Sequence, residues 1–334
     1  MTYDVAGLGN ALMDALVVVD DAEALLDRLG LVRGTMHPVD HAEWEAVHKE
    51  VAHLDVVLES GGSCANTIAT VGRLGARAVY RGQVGDDALG QTYADRLADA
   101  CGEHLLRVSS DAPTGKCLSI VSRQDAERTM VTDLGASVLL PDLGGFADVL
   151  RSTRIAHFTG YTLLGGAMEG VVRQALPLAR DAGALVSVDV ADPFVVGQLR
   201  DTLWRVLAAY ADVVFLNAEE ARALTDRTPE HAAETIASEA GVKTVVVKLG
   251  SRGSLVLHDG EAHEIGVRKV EAIDTTGAGD AYAGGFLYGL ARGWAPETCG
   301  ALASAVAAET VAQLGAVVKD GARLRALAAE LAPR

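Results

Sequence analysis

Residues 274–280 read Asp274-Thr275-Thr276-Gly277-Ala278-Gly279-Asp280, and AYAGGFLYGLA follows at 281–291. Small residues and two glycines run directly into what reads as an amphipathic helix over Asp280–Arg292. A turn of this kind leaves the backbone N–H groups of Gly277, Ala278 and Gly279 unpaired at a helix N-terminus, where the dipole favours negative charge. Glycine lets that backbone approach an anion with no side chain between them. Asp280, on the first turn, can act as a base beside the anion; it can also be a plain capping carboxylate over a tight turn. The full heptapeptide, with AGGF behind it, favours the chemical reading.

Upstream of this turn, short β-branched runs alternate with longer Ala/Leu-rich stretches. Strands are expected at Asp4–Leu8, Ala78–Arg81, Ile155–Phe158, Leu185–Val190, Val213–Leu216 and Thr244–Lys248. Helices are expected between them at Cys64–Leu74, Asp87–Ala100, Met168–Ala182, Val196–Ala209 and Pro229–Ala240, then at Pro296–Leu314 and Ala322–Leu331. This alternation is the mark of a parallel α/β sheet, and runs such as VVFL and TVVVK suit strands covered on both faces. Residues 12–40 and 112–138 break the rhythm. They read as short strands and turns with no packed helix between them, a small β-sheet lid over one edge. No linker, repeat or low-complexity tract divides residues 1–334, so one α/β body with a lid is expected.

Composition removes other classes. Apolar residues are 49% and charged residues 22%, as in a folded chain, while aromatics are only 4%, so the core must come from Ala, Val and Leu. A net charge of −16 repels phosphate backbones and anionic membranes, which excludes nucleic acid and membrane surfaces as partners. The first residues carry Asp4 and Asp14 and no basic cluster, so they do not read as a signal peptide. No apolar run approaches the ~18 residues of a membrane span. Cys64, Cys101, Cys117 and Cys299 lie far apart, as free thiols do in a reducing cytoplasm. His37 and His41 are separated by Pro38 and make a poor metal pair. A cytoplasmic location is expected.

Other motifs stand in order along the chain: Gly61-Gly62-Ser63-Cys64-Ala65-Asn66; Gly82-Gln83-Val84-Gly85-Asp86-Asp87 with Gly90; Asn217-Ala218-Glu219-Glu220; and Lys248-Leu249-Gly250-Ser251-Arg252-Gly253. Together with DTTGAGD they resemble the signature set of the ribokinase-like (PfkB) carbohydrate and nucleoside kinases. The resemblance implies a three-layer α/β/α body, ATP with Mg²⁺, and transfer of the γ-phosphoryl group to a hydroxyl. Such transfer needs positioning, a cation on the phosphates, donors for developing charge and a base. Gly277, Ala278 and Gly279 would supply the donors and Asp280 the base. Glu220 would hold Mg²⁺ through water, because that ion dehydrates reluctantly. Asn217, Lys248, Gly250, Gly253 and Thr275 fall on the nucleotide side. Asn217 and Glu220 also suit a capped surface helix after VVFL.

On the acceptor side, Gly61 and Gly62 suit a backbone closely approached by a ligand, and Asn66 offers donor and acceptor to vicinal hydroxyls. The resemblance assigns sugar hydroxyls to Asn10 and Asp14. GLGNALMDALVVVD, PTGKC, DLGAS and SVDVADPFV are closer to the adenosine-kinase branch than to ribokinase, although Ala11 replaces the usual Pro and Asp192 stands where that pattern has Ala. Tyr161 is a candidate to stack on a purine or an ordinary rim tyrosine; Arg128, in the lid, could reach a transferred phosphate or be a surface arginine. A monovalent cation, K⁺, near Asp274 and Gly315-Ala316, and a monomer or homodimer, are implied by the family alone. A nucleoside is therefore the first acceptor and a free sugar the second. A non-catalytic sensor on the same fold and an NAD-dependent oxidoreductase are the competing classes. The latter rests on Gly7-Leu8-Gly9, whose third glycine is replaced by Leu12. No G-x-x-x-x-G-K-[ST] loop occurs.

Overall fold

The computed structural model describes residues 2–125 and 127–333; Ala126, inside the second expected lid stretch, lies outside the described residues. β1 (Tyr3–Leu8) runs through the middle of the main sheet. On one side of it come β5 (Ala78–Gly85) and β6 (Gly102–Ser109); on the other come β9 (Thr153–Thr159), β10 (Leu185–Asp189), β11 (Val213–Asn217) and β12 (Thr244–Lys248). All seven are parallel. The hairpin strands β13 (Ser254–His258) and β14 (Glu261–Ile265) extend the sheet antiparallel. The chain leaves β1 towards β5 and returns to β9 on the opposite side, so strand order reverses beside β1. A crevice for ligands opens at the carboxyl ends of strands at such a point.

Alternate residues of each strand enter different cores. Val214, Leu216, Val245 and Val247 pack with helices Gly166–Asp181, Pro193–Tyr210, Ala218–Thr225 and Pro229–Ala240. Val213, Phe215 and Val246 pack on the other face with Ser63–Arg73, Ala278–Ala291 and Pro296–Val311. The expected amphipathic character of the helix after the glycine turn is corrected. Ala281 to Leu287 are all buried, because the helix is wedged between the sheet and two other helices.

The remaining strands, β2 (Leu12–Val19), β3 (Met36–Pro38), β4 (Val57–Gly61), β7 (Gly115–Ser122) and β8 (Arg128–Asp133), form a second sheet in the order β3-β8-β7-β2-β4. The expectation that it carries no packed helix is also corrected. Ala22–Leu29 and His41–Val51 cover one face, burying Leu25, Leu26 and Trp44 on Val17, Leu118, Ile120 and Val131. Both helices are short and depend on their ends. Asp21 caps the first, whose C-terminus closes on Gly30; Asp40 and Glu43 form a capping box on the second. On the opposite face, Asp14, Cys117 and Thr132 lie in cross-strand register. No described helix is long and apolar enough to cross a membrane.

Candidate active site

The heptapeptide turn is fixed from within. Asp274 is buried; its Oδ1 accepts from the Thr276 amide at 2.8 Å and its Oδ2 from the Gly315 amide at 3.0 Å. Its carboxylate, expected near K⁺, is thus committed to the backbone of two loops. Gly277 has φ +71°, and a methyl group there would stand 2.4 Å from the Ala316 Cβ, so glycine alone fits. The helix Ala278–Ala291 begins with no side-chain cap. One expected donor is lost: the Ala278 amide turns back to the Thr275 carbonyl at 3.3 Å, closing the turn. The amides of Gly277, Gly279 and Asp280 have no protein acceptor among the described residues.

Asp280 is held at both oxygens. Ser63 Oγ donates to Oδ1 at 2.7 Å and Asn66 Nδ2 to Oδ2 at 2.9 Å. Both donors stand on the first turn of Ser63–Arg73. That helix starts at Gly62, with φ +90° and a missing Cβ that would lie 2.2 Å from the Asn10 carbonyl oxygen. Burial pushes Asp280 up to about 6, against the two hydrogen bonds that favour its charged form. Ser63 stands within GGSCAN but carries no separate signal in the sequence. Asn66, expected to face hydroxyls, gives its amide nitrogen to Asp280.

Asn10, just beyond β1, is 8% exposed, and its Oδ1 has no partner among the described residues. Asp14 lies beside it in β2, and burial pushes its carboxyl up to about 7 while Arg128 opposes the shift. Arg128 Nη1 reaches across to Thr276 Oγ1 at 3.0 Å. Gly61 ends β4 and accepts from the buried Tyr93 hydroxyl at 3.0 Å. Tyr161, after β9, donates to Asp192 Oδ2 at 3.3 Å and packs its ring on the core of the main sheet.

Beyond Asp280 the strands β10, β11 and β12 end side by side. Lys248 Nζ donates to Asp189 Oδ2 at 2.9 Å, a contact with no forewarning in the sequence. Asn217 and Glu220 form a reciprocal capping box, with Asn217 N to Glu220 Oε2 at 2.8 Å and Asn217 Nδ2 to Oε1 at 2.5 Å. Glu220 is 2% exposed, and burial pushes it up to about 7. Each of its oxygens keeps a lone pair, so it fits a metal-bound water better than a bare ion. No cluster of three His, Cys, Asp or Glu that could hold a metal exists among the described residues. Gly250 and Gly253 shape the turn from β12 to β13, with Gly253 N on Gly250 O at 3.0 Å, and Thr275 is exposed.

The sequence profile of the pfkB family carbohydrate kinases matches residues 36–320, which contain this turn, the Asp280 clasp and the ends of β10 to β12. The chain belongs to that family. It is accordingly a phosphotransferase with an alcohol group as acceptor. The pfkB-family chain is 28% identical over 335 residues to adenosine kinase of Saccharomyces cerevisiae, covering 94% of this chain and 96% of the relative. Its fold matches the crystal structure of adenosine kinase from Sinorhizobium meliloti at a TM-score of 0.90 and 31% identity, covering 99% of this chain and 100% of that one. A probable sugar kinase from Rhizobium etli matches at a TM-score of 0.91 and 29% identity, with the same coverage.

Proposed function

We propose that this pfkB-family enzyme transfers the γ-phosphoryl group of ATP to a primary hydroxyl of adenosine or a related nucleoside. The observation that carries the reading is the Asp280 carboxylate, clasped by Ser63 and Asn66 at the same helix start that offers free amides. Asp280 takes the acceptor proton. The amides of Gly277, Gly279 and Asp280 meet the charge that develops on the phosphoryl oxygens. Asn10 and Asp14 hold acceptor hydroxyls, which would satisfy the orphaned Asn10 oxygen. Glu220 would hold, through water, the Mg²⁺ of the nucleotide, an ion that would neutralise charge on the phosphates. The second sheet acts as a lid, closing on the acceptor with Arg128 over the turn and excluding water.

A nucleoside is preferred because Leu16, Cys117 and Met130 share the Asp14 face of the lid with Ser119 and Thr132, and their apolar side chains suit a base better than a free sugar. The Rhizobium etli likeness favours a sugar as the second reading. Initial rates of ADP release with Mg-ATP and adenosine, inosine, ribose or fructose decide between them. The highest kcat/KM is expected with adenosine. A faster free sugar would replace the acceptor, and no turnover with any of the four would replace the kinase by a sensor.

A further inference from the structure

The site contains a cation that the roles above leave without a task. Lys248 ends β12 with 17% of its side chain exposed, and its Nζ lies 3.1 Å from where a Cβ on Gly279 would stand. The ammonium therefore sits over the part of the anion turn whose amides are free. Burial works against its charge, yet the carboxylates of Asp189 and Glu220 hold its pKa above the ordinary value, so it stays protonated. An ammonium has three donors. Among the described residues Asp189 Oδ2 is the one acceptor it reaches, and the other two remain uncommitted beside the turn.

Asp189 is built to hold it. The residue is 3% exposed, and its Oδ1 accepts from the Ala191 amide at 3.0 Å. Ala191 adopts φ +86°, a conformation that a side-chain-bearing residue rarely takes, so the chain after β10 bends to supply that amide. The nearby His157 does not compete as a cation. Burial holds it down to about 4, and its Nδ1 is engaged with Ser187 Oγ at 2.9 Å.

We infer that Lys248 is a catalytic residue of the transfer, donating to a non-bridging oxygen of the γ-phosphoryl group in flight, and that Asp189 is its positioning residue. The inference rests on the kinase reading above. In the step, the bond from the γ-phosphorus to the β–γ bridging oxygen breaks and the bond from the acceptor oxygen to that phosphorus forms. The acceptor proton passes to Asp280, ADP departs, and Lys248 keeps its three protons. A cation placed this way acts on the transition state more than on bound ATP, so its loss appears in kcat.

The test compares Lys248→Met, Lys248→Arg and Asp189→Asn with the wild type, after thermal melts show which are folded. Lys248→Met should lower kcat by ~10²-fold or more while the KM for ATP moves less than ~3-fold. Its affinity for ADP with aluminium fluoride and acceptor should fall by a similar factor, with affinity for ADP alone unchanged. Lys248→Arg should restore part of the rate. Asp189→Asn should slow the wild type ~10-fold and cost nothing further in the Lys248→Met background, the non-additivity of residues that act as a unit. If Lys248→Met does not fold, Lys248→Gln and Asp189→Asn carry the same comparison. A folded Lys248 variant with wild-type kcat, or a KM for ATP that rises at constant kcat, overturns the inference. A wild type inactive with every acceptor brings down the kinase reading and this inference with it.

Discussion

Arg128 in β8 donates to Thr276 Oγ1, and Thr276 in turn is tied to Asp274, so the smaller sheet is latched onto the glycine turn by one guanidinium. This bond crosses 148 positions of sequence. It makes lid position and turn geometry parts of one arrangement.

Arg128→Ala should therefore loosen both ends together. A buried hydrogen bond to a charged group contributes ~1.5–3 kcal/mol; Arg128 is half-buried, so the lower end applies and kcat should fall ~10-fold. Hydrogen exchange is the check. Amides of β8 and of residues 276–280 should lose protection together, while β11 and β12 hold theirs. Loss confined to β8 would mean that the latch does not transmit.

Asp280→Asn should lower kcat by at least ~10²-fold with the fold intact, since a positioned base typically contributes ~10²–10⁴. The wild-type rate should also rise with pH through about 6, where Asp280 loses its proton, and level off above it. A flat profile from pH 5 to 8 with full chemistry would assign the proton to another group.

Much of the body was legible because its strands are buried on both faces. Val245, Val246 and Val247 are apolar whichever core they face, and Thr244–Lys248 was readable residue for residue. The parts that escaped are those whose stability is borrowed. Ala22–Leu29 has two turns and only three buried residues, too few to print a helical period. β4 reads VLESG, and β6, β13 and β14 lie at or near the main sheet's edges with mixed patterning. In the site, the motifs located Asp280, Asn66 and Lys248, but the Asn66–Asp280 bond depends on how two helices pack across 214 positions. Asp189 could not be singled out at all, since it is one acid at the end of an otherwise apolar strand and acquires meaning only when β12 brings Lys248 beside it.

Asp14 ties the site to stability. Its folded pKa, about 7, lies above the ordinary carboxylate value, so between pH 4 and 7 the folded chain binds more protons at this position than the unfolded chain. Stability from this group is greatest at the acid end and declines as pH rises towards 7. Asp14→Asn should flatten that part of the Tm-against-pH curve and raise Tm at pH 7.5. It should also raise the acceptor KM while leaving the KM for ATP unchanged. A variant whose Tm keeps the wild-type slope would show that the decline belongs to Asp280 and Glu220.

Gly277→Ala should be costly on two counts. A Cβ would press on Ala316 at 2.4 Å, and φ +71° is unfavourable to any side chain. Strain of this kind costs ~1–3 kcal/mol, and relieving it would tilt the turn and its free amides. Urea denaturation should show the loss of stability, and kcat should fall more than either KM rises. Unchanged turnover in a destabilised variant would separate the turn's geometry from catalysis.

Asn10 is the place where function and stability pull apart. Its side chain is buried, and its Oδ1 lacks a partner, which costs ~1–3 kcal/mol in a chain without ligand. In the acceptor-binding role proposed above, a hydroxyl donating to that oxygen would remove the cost on binding. Asn10→Leu, close in volume and without polar atoms, should raise the Tm of the ligand-free protein. The same variant should raise the acceptor KM ~10-fold or more, with the KM for ATP unaltered, because a hydroxyl then meets an apolar wall. Thermal melts with and without adenosine make both arms visible at once, since bound ligand stabilises by RT ln(1 + [L]/Kd). The wild type should gain more from adenosine than the variant does, and the two melting curves should cross over as adenosine is added. If Asn10→Leu lowers the ligand-free Tm, the side chain contributes to the fold through its amide nitrogen. If it leaves the adenosine shift intact, the hydroxyl contact lies elsewhere, and Asp14 alone carries that recognition.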